Sequence, residues 1–101
     1  MCILEMVTFT VKMGVTEEHL QALSQDFEKA LKREVPGFIR RSLVKSIANN
    51  LWIELIWWDS MKSASLALEV VTKTREFDMY CSALLDGGGN DISYFQAIST
   101  V

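Results

Sequence analysis

The longest apolar segment of the chain is LWIELIWWD, residues 51–59, in which Glu54 alone interrupts a run of large apolar side chains before Asp59. Its Ile and Trp residues suit a pleated, buried surface, so the pattern predicts a β-strand over Leu51–Trp58. Because side chains alternate along a strand, both faces of this strand are apolar, and one of them also carries Glu54. Such a strand lies inside a sheet and needs a cover on each face.

The rest of the chain divides into elements by the spacing of its apolar residues. Alternation indicates strands, and apolar residues that recur at helical spacing indicate helices. Thr16 and Ser60 are suitable N-caps, and Pro36 ends the first helix. The predicted elements are a strand over Cys2–Lys12, a helix over Glu17–Glu34, a strand over Phe38–Ile47, a helix over Met61–Lys73, a short helix restarted by Thr74, and a last strand over Ile92–Ser99.

The order of these elements, βαββα(α)β, is that of the split βαβ or ferredoxin-like α+β fold. It predicts one domain over residues 1–101, with a four-stranded antiparallel sheet and helices on one face only. The other face then has no cover within the chain, although the strand over Leu51–Trp58 is apolar there. An uncovered apolar face is a partner surface, and we expect a second copy, related by a two-fold axis, to cover it in a homodimer.

Composition excludes several classes of function. The 101 residues carry a net charge of −3 and no cluster of Lys and Arg, which argues against nucleic acid as a partner. Cys2 and Cys81 are isolated thiols, so neither a disulfide framework nor a zinc site is predicted, as suits a reducing cytoplasm. The beginning of the chain does not resemble a signal peptide, and no apolar run is long enough to span a membrane.

Four segments resemble proteins of the dimeric α+β barrel superfamily, in particular the antibiotic biosynthesis monooxygenase-like proteins. They are VPGF at the start of the second strand, WWDS at the end of the third, REFDMYCSAL in the short helix, and SYFQAI in the last strand (Val35–Phe38, Trp57–Ser60, Arg75–Leu84 and Ser93–Ile98). The resemblance covers nearly the whole chain. It implies a dimeric α+β barrel, but the superfamily includes oxygenases, haem-degrading enzymes, cyclases, isomerases and proteins without known activity, so it does not select one chemistry.

The chain departs from these relatives at positions that bear on chemistry. Glu76 occupies a place where many of them have a His, and His19, the single histidine of the chain, falls in the first turn of the first helix, where we expect it at the surface. Haem is therefore not expected, and no ligand set suits zinc or iron. Glu54 replaces an Asn that an oxygenase of this family carries four residues before its strand-end Trp. We expect a colourless protein that needs no metal and no cofactor.

Glu54 is the polar residue that demands an explanation, because an unpaired buried carboxylate is costly. If the hairpin turns through Asn49-Asn50, Lys45 lies opposite Glu54 and Arg41 lies opposite Trp58. One interpretation is a structural ion pair between Lys45 and Glu54. The other is a general base in an apolar pocket, with Arg41 near an anionic oxygen of the ligand.

The resemblance implies a pocket between the sheet and the helices, lined by the Trp at the strand end. We predict Glu54 and Tyr80 as candidate catalytic residues, with the substrate contacted by Arg41, Trp58, Phe77 and Met6. The alternative is that these aromatic residues are only core and that Met6 only fills a gap. Nucleophilic catalysis is not expected, because neither Cys has a His to activate it. The triple-glycine segment over 87–89 follows a helix and is interpreted as a connector.

Two functions from different classes remain open at this point. The first is a small cofactor-independent enzyme that acts on an aromatic or polyketide-like molecule, either as a monooxygenase or as a non-oxidative cyclase or isomerase. The second is a dimeric ligand-binding protein without catalysis. The first needs a pocket in which polar groups converge, whereas the second needs only a packed core.

Overall fold

The computed structural model describes residues 2–85 and 91–99, and the predicted glycine-rich connector lies outside these residues. Seven elements form the fold that the sequence predicts, an α+β ferredoxin-like arrangement with four antiparallel strands. Their boundaries differ from the predicted ones mainly at the ends of strands. The elements are β1 Ile3–Phe9, α1 Glu17–Glu34, β2 Phe38–Lys45, β3 Trp52–Trp58, α2 Met61–Val71, α3 Arg75–Ser82 and β4 Asp91–Gln96.

Each helix begins at a side-chain cap that the sequence indicates. The hydroxyl oxygens of Thr16, Ser60 and Thr74 accept hydrogen bonds from backbone N–H groups three residues later, which satisfies donors that a helix start leaves free. Because Thr74 begins a new helix, the chain bends between α2 and α3. This bend lets α3 pack against α1 and brings Tyr80 into the core.

The sheet has the strand order β2-β3-β1-β4, so β3 and β1 are its central strands. All neighbouring strands are antiparallel. The helices cover the face that carries Val7, Phe9, Ile56 and Trp58, and these residues are buried together with the apolar stripe of α1. The strand over LWIELIWW is therefore central, as its sequence predicts.

The predicted register of the β2–β3 hairpin is wrong by two residues. The backbone N–H of Ser46 donates to the carbonyl of Leu51, so the loop contains four residues and not the predicted two. Two side chains hold this longer loop: Ser46 Oγ accepts from the N–H of Ala48, and Asn49 Oδ1 accepts from the N–H of Leu51. A shift of two residues changes the cross-strand partners but leaves every side chain on its predicted face.

The face of the sheet opposite the helices is largely apolar, and we call it the open face. Leu4, Met6, Ile53, Leu55 and Trp57 lie at its centre, paired across β1 and β3. At its edges Val44 and Phe95 are exposed. The Arg40 guanidinium stacks over the Trp57 ring at 4.0 Å from the ring centre, so even the cation here lies flat on an aromatic ring.

Candidate active site

A cavity of about 180 Å³ lies between the helix-covered face of the sheet and the helices. Most of its lining is apolar, and the polar side chains that reach it include Glu5, Glu54 and Tyr80. An apolar cavity of comparable size, roughly 150 Å³, accommodates benzene, so this one accepts an aromatic ring. Leu68, Ile92 and Tyr94 also line it and are exposed, so the cavity opens between α2 and β4.

Glu54 is 4% exposed and is held by two side chains from other elements. The Nε–H of Arg41 donates to Glu54 Oε1 at 2.6 Å, and the hydroxyl of Tyr80 donates to Glu54 Oε2 at 3.3 Å. Ser24, on α1, fixes the guanidinium in turn, because Arg41 Nη1 donates to its hydroxyl oxygen at 2.6 Å and to its carbonyl oxygen at 3.2 Å. The buried carboxylate is thus compensated in charge and in hydrogen bonds.

The predicted pairing of Lys45 with Glu54 is wrong. The shifted register sets Leu43 opposite Glu54 and Lys45 opposite Trp52. Lys45 instead pairs with Glu17 of α1 at 2.7 Å, in a half-exposed ion pair. Arg41 lies beside Glu54 because it is two residues from Leu43 on the same face of β2, and is therefore a diagonal neighbour of Glu54 across the two strands.

Arg41 is the cation of this network, and its side chain is 3% exposed. Burial by itself would lower the pKa of the guanidinium, but the Glu54 carboxylate, together with Tyr80 and Glu28, outweighs this effect and the pKa is raised. The guanidinium also lies beside the stacked Phe27 and Tyr80 rings, 5.2 and 5.4 Å from their centres. Arg41 therefore stays charged. It binds Glu54 but is not among the residues that line the cavity.

Tyr80 and Cys81 border the cavity as neutral groups. Burial and then the charge of Glu54 raise the pKa of the Tyr80 phenol, which favours its role as a hydrogen-bond donor to Glu54 over a role as a base. Burial likewise raises the pKa of the Cys81 thiol to about 11, so little thiolate is available at neutral pH. We therefore still expect that Cys81 does not act as a nucleophile.

Glu5 is a second acidic residue in the cavity, and the sequence reasoning missed it. The indole N–H of Trp58 donates to Glu5 Oε1 at 3.0 Å. Burial, opposed in part by this hydrogen bond and reinforced by the charge of Glu54, raises the pKa of Glu5 to about 7. A signal was present, because strand alternation puts Glu5 on the same face as Val7 and Phe9, which are buried.

The structure brings together most of the other predicted site residues. Trp58 and Tyr80 are buried and line the same cavity, and Phe77 lines it from α3. Met6 is the exception: it pairs with Leu55 and Ser93 and lies on the open face, away from the cavity, so the expectation that it borders the same pocket is wrong. The alternation of side chains along β1 explains the position of Met6, since it lies between Glu5 and Val7 in sequence and therefore on the opposite face.

Two further residues lie where the sequence suggests. His19 is exposed at the start of α1. Glu76, at the place where many relatives carry a His, forms an ion pair with Arg33 at 2.9 Å that links α3 to α1. In residues 2–85 and 91–99, no three His, Cys, Asp or Glu side chains are grouped closely enough to hold a metal ion. None of the helices in this part of the chain is long and apolar enough to cross a membrane.

No protein-family model and no curated protein matches the chain. Among solved structures, it is similar to SnoaB, a cofactor-independent oxygenase from Streptomyces nogalater, at a TM-score of 0.77 and 16% identity, over 99% of this chain and 96% of that one. It is also similar to a candidate antibiotic biosynthesis monooxygenase from Chloroflexus aurantiacus J-10-fl, at a TM-score of 0.75 and 10% identity, over 100% and 97% of the two chains. A third such protein, from Caulobacter crescentus CB15, has a TM-score of 0.69 and 18% identity, over 97% and 91%.

These similarities extend over the full described fold. The chain has the fold of the antibiotic biosynthesis monooxygenase-like proteins, which confirms at the level of the fold the resemblance found in its sequence.

Proposed function

We propose that this protein is a cofactor-independent oxygenase that binds an aromatic or polyketide-like substrate in the cavity between the sheet and the helices. The observation that carries the proposal is the cavity itself: aromatic and aliphatic walls, open at one side, with Glu5, Glu54 and Tyr80 reaching its lining. The shared fold with SnoaB, a cofactor-independent oxygenase, supports this choice among the chemistries that such a cavity allows.

The chemistry requires a substrate that supplies its own electrons. An activated ring methylene gives up two hydrogens, one atom of O₂ becomes the carbonyl oxygen of the product, and the other leaves as water. The protein's part is to orient the ring, to keep water away from it and to manage the proton that the methylene loses. Glu54 with its Arg41 and Tyr80 partners supplies a fixed polar wall for this purpose.

A non-oxidative cyclase or isomerase is the second candidate, and Glu5 favours it. A carboxyl with a pKa of about 7 is suited to move protons at neutral pH, which cyclisation and isomerisation of polyketide-like compounds also require. The two candidates differ in one observable, since only the oxygenase consumes O₂.

Anthrone, an aromatic ketone with one activated ring methylene, is a suitable first substrate. We expect the purified protein, without added cofactor, to accelerate O₂ uptake and to place one atom of labelled oxygen in the quinone product. The variant Ala67→Leu, which fills the cavity from α2, should lose this activity, whereas Ala48→Leu in the exposed β2–β3 loop should keep it. Turnover without O₂ uptake would favour the cyclase or isomerase, and ligand binding without turnover of any test compound would favour the non-catalytic alternative.

We also propose that the open face is covered by a second copy of the chain. The two central strands carry only apolar side chains there apart from Thr8, and an exposed apolar area of this kind favours association. A two-fold axis through the sheet would bring the same face of each copy together, so that Leu55 and Trp57 are buried on both sides at once.

A further inference from the structure

The two carboxyl groups of the cavity differ in how their charge is compensated. Glu54 receives hydrogen bonds from Arg41 and Tyr80 and is paired with a buried cation. Glu5 receives one from the Trp58 indole, which is the only hydrogen bond that its side chain makes within the described part of the chain. Both oxygens of Glu54 are therefore bound, whereas Glu5 has one oxygen bound and the other without a partner among the described residues.

Within the described part of the chain, no cation lines this cavity beside Glu5. Glu54 and Trp58 face it from β3, and Tyr94 lies directly across from it on β4. The titratable groups on the helix side of the cavity are Tyr80 and Cys81, and no Lys, Arg or His is among the described residues that line it. The surroundings of Glu5 are thus apolar or negative, which is the environment that keeps a carboxyl protonated up to neutral pH.

We propose that Glu5 is the proton acceptor of this cavity and that the ligand it serves is a neutral, weakly acidic hydroxyaromatic compound. In the step, the O–H bond of the bound phenol or enol breaks, its electron pair stays on the ligand oxygen, and the proton passes to the free oxygen of the Glu5 carboxylate. The indole of Trp58 is the positioning group, since it holds the other oxygen. The role of Glu5 in turnover rests on the proposed function, whereas its role in binding can be measured separately.

The charge and size of the cavity define this ligand class. The carboxyl of Glu5, with no cation among the described residues that line the cavity, disfavours a ligand that enters as an anion, such as a benzoate or a phosphate ester. The rings of Phe27, Phe77 and Trp58 favour a flat aromatic body. A hydroxyl on that body gives Glu5 the donor that no described cation supplies, and a carboxylate accepts such a hydrogen bond more strongly than a neutral group does.

The first test is the titration of Glu5 itself. In protein labelled with ¹³C at glutamate carboxyl carbons, one resonance should titrate near pH 7 and should be absent from Glu5→Gln, which keeps the shape and an acceptor oxygen for Trp58. The resonance should persist in Glu69→Gln, an exposed position on α2. The proposal is wrong if the resonance that disappears in Glu5→Gln titrates in the wild-type protein near the ordinary value of about 4.3.

The second test uses 2-naphthol, a phenol that becomes a strong acid when excited and then loses its proton only to an acceptor in contact with it. We expect wild-type protein to bind it, with naphtholate emission above the pKa of Glu5 and neutral naphthol emission below it. Glu5→Gln should show neutral emission at both pH values and roughly tenfold weaker binding above that pKa. Glu69→Gln should behave as wild type, and 2-methoxynaphthalene, which has no hydroxyl, should bind equally to all three proteins.

The outcomes separate this proposal from the proposed function. Naphtholate emission that is unchanged in Glu5→Gln, or no saturable binding of 2-naphthol to wild type, would overturn the role of Glu5 whatever the enzyme oxidises. Loss of this emission in Glu5→Gln supports the role of Glu5 even if the protein does not oxidise anthrone. In that case the oxygenase assignment is wrong and the role of Glu5 in binding stands. Binding of 2-naphthoate as tight as that of 2-naphthol would contradict the neutral ligand class.

Discussion

Both faces of the sheet carry large apolar side chains that need a cover, and the two faces differ in how that cover is supplied. Both are lined by large apolar residues of β3, but on the helix-covered face the two central strands also carry two carboxyl groups, the buried Glu54 and the partly buried Glu5. The helices make this possible, because α1 supplies Ser24 to hold Arg41 and α3 supplies Tyr80. The open face has no such partners among the described residues and is largely apolar. Polar groups can therefore be buried where the same chain supplies the cover, while the uncovered face is suited to association.

The largest expected effect comes from breaking the compensation of Glu54. Arg41→Met leaves a carboxylate in the core without its cation, and we expect a loss of about 3–5 kcal/mol in the free energy of unfolding, measured by denaturant titration. Lys45→Met is the matched control on the same strand and face, and its half-exposed pair with Glu17 should contribute no more than about 1 kcal/mol. Equal losses in the two variants would contradict the expectation that burial of an ion pair on this face determines how much stability depends on it.

The open face can be tested with a single charge. Leu55→Lys puts an ammonium group at the centre of this face, and we expect it to weaken self-association by at least about a hundredfold, since an unpaired charge in an apolar interface costs several kcal/mol. Leu66→Lys, on the exposed side of α2, should leave association unchanged. Light scattering measures both, and a wild-type particle of 11.5 kDa at micromolar concentration would contradict the proposed dimer.

A smaller effect is expected from the pH dependence of stability. Burial raises the pKa of Glu5 from 4.5 to about 7, so the folded protein holds a proton that the unfolded chain releases between these pH values. The stability from this proton is complete below pH 4.5 and is lost as the pH rises through 7, by about 2 kcal/mol after allowance for partial solvent exposure. Thermal unfolding across this range should show the decline in wild type and Glu69→Gln, and Glu5→Gln should lack it.

The smallest effect concerns the hydroxyl of Tyr80. Tyr80→Phe keeps the ring contacts with Phe9 and Phe27 but removes a 3.3 Å hydrogen bond to Glu54, and we expect a loss of about 1 kcal/mol in the free energy of unfolding. Tyr94→Phe at the mouth of the cavity should change stability by less, because Tyr94 is 39% exposed. A loss of 3 kcal/mol or more in Tyr80→Phe would show that Arg41 alone does not compensate Glu54.

Much of the helix-covered face could be predicted from local pattern. The period of the apolar residues and the caps Thr16, Ser60 and Thr74 locate every helix, and alternation puts Glu54 and Arg41 on one face. These signals depend only on neighbours in sequence. The helices are therefore located correctly despite the error in strand pairing, and Glu54 and Arg41 keep one face because that error is an even number of residues.

What could not be predicted depends on contacts between distant segments. The partner of Glu54 follows from a loop whose length is set by side-chain hydrogen bonds of Ser46 and Asn49, and a two-residue turn through Asn49-Asn50 is an equally regular alternative. The role of Glu5 depends on how β1 pairs with β3, which brings it beside Trp58 from 53 positions away in the chain. For Met6 the local pattern is sufficient, because alternation along β1 puts it on the face opposite the buried Val7 and Phe9.

The most direct test of the assignment of chemistry to the helix-covered face is a crystal structure of the protein soaked with 4-bromophenol, whose bromine is located by its anomalous signal. We expect one strong peak in the cavity between the sheet and the helices, with the phenol oxygen within hydrogen-bond distance of Glu5. A cavity that stays empty while bromine is found only on the open face or on the outer surface of the helices would contradict it.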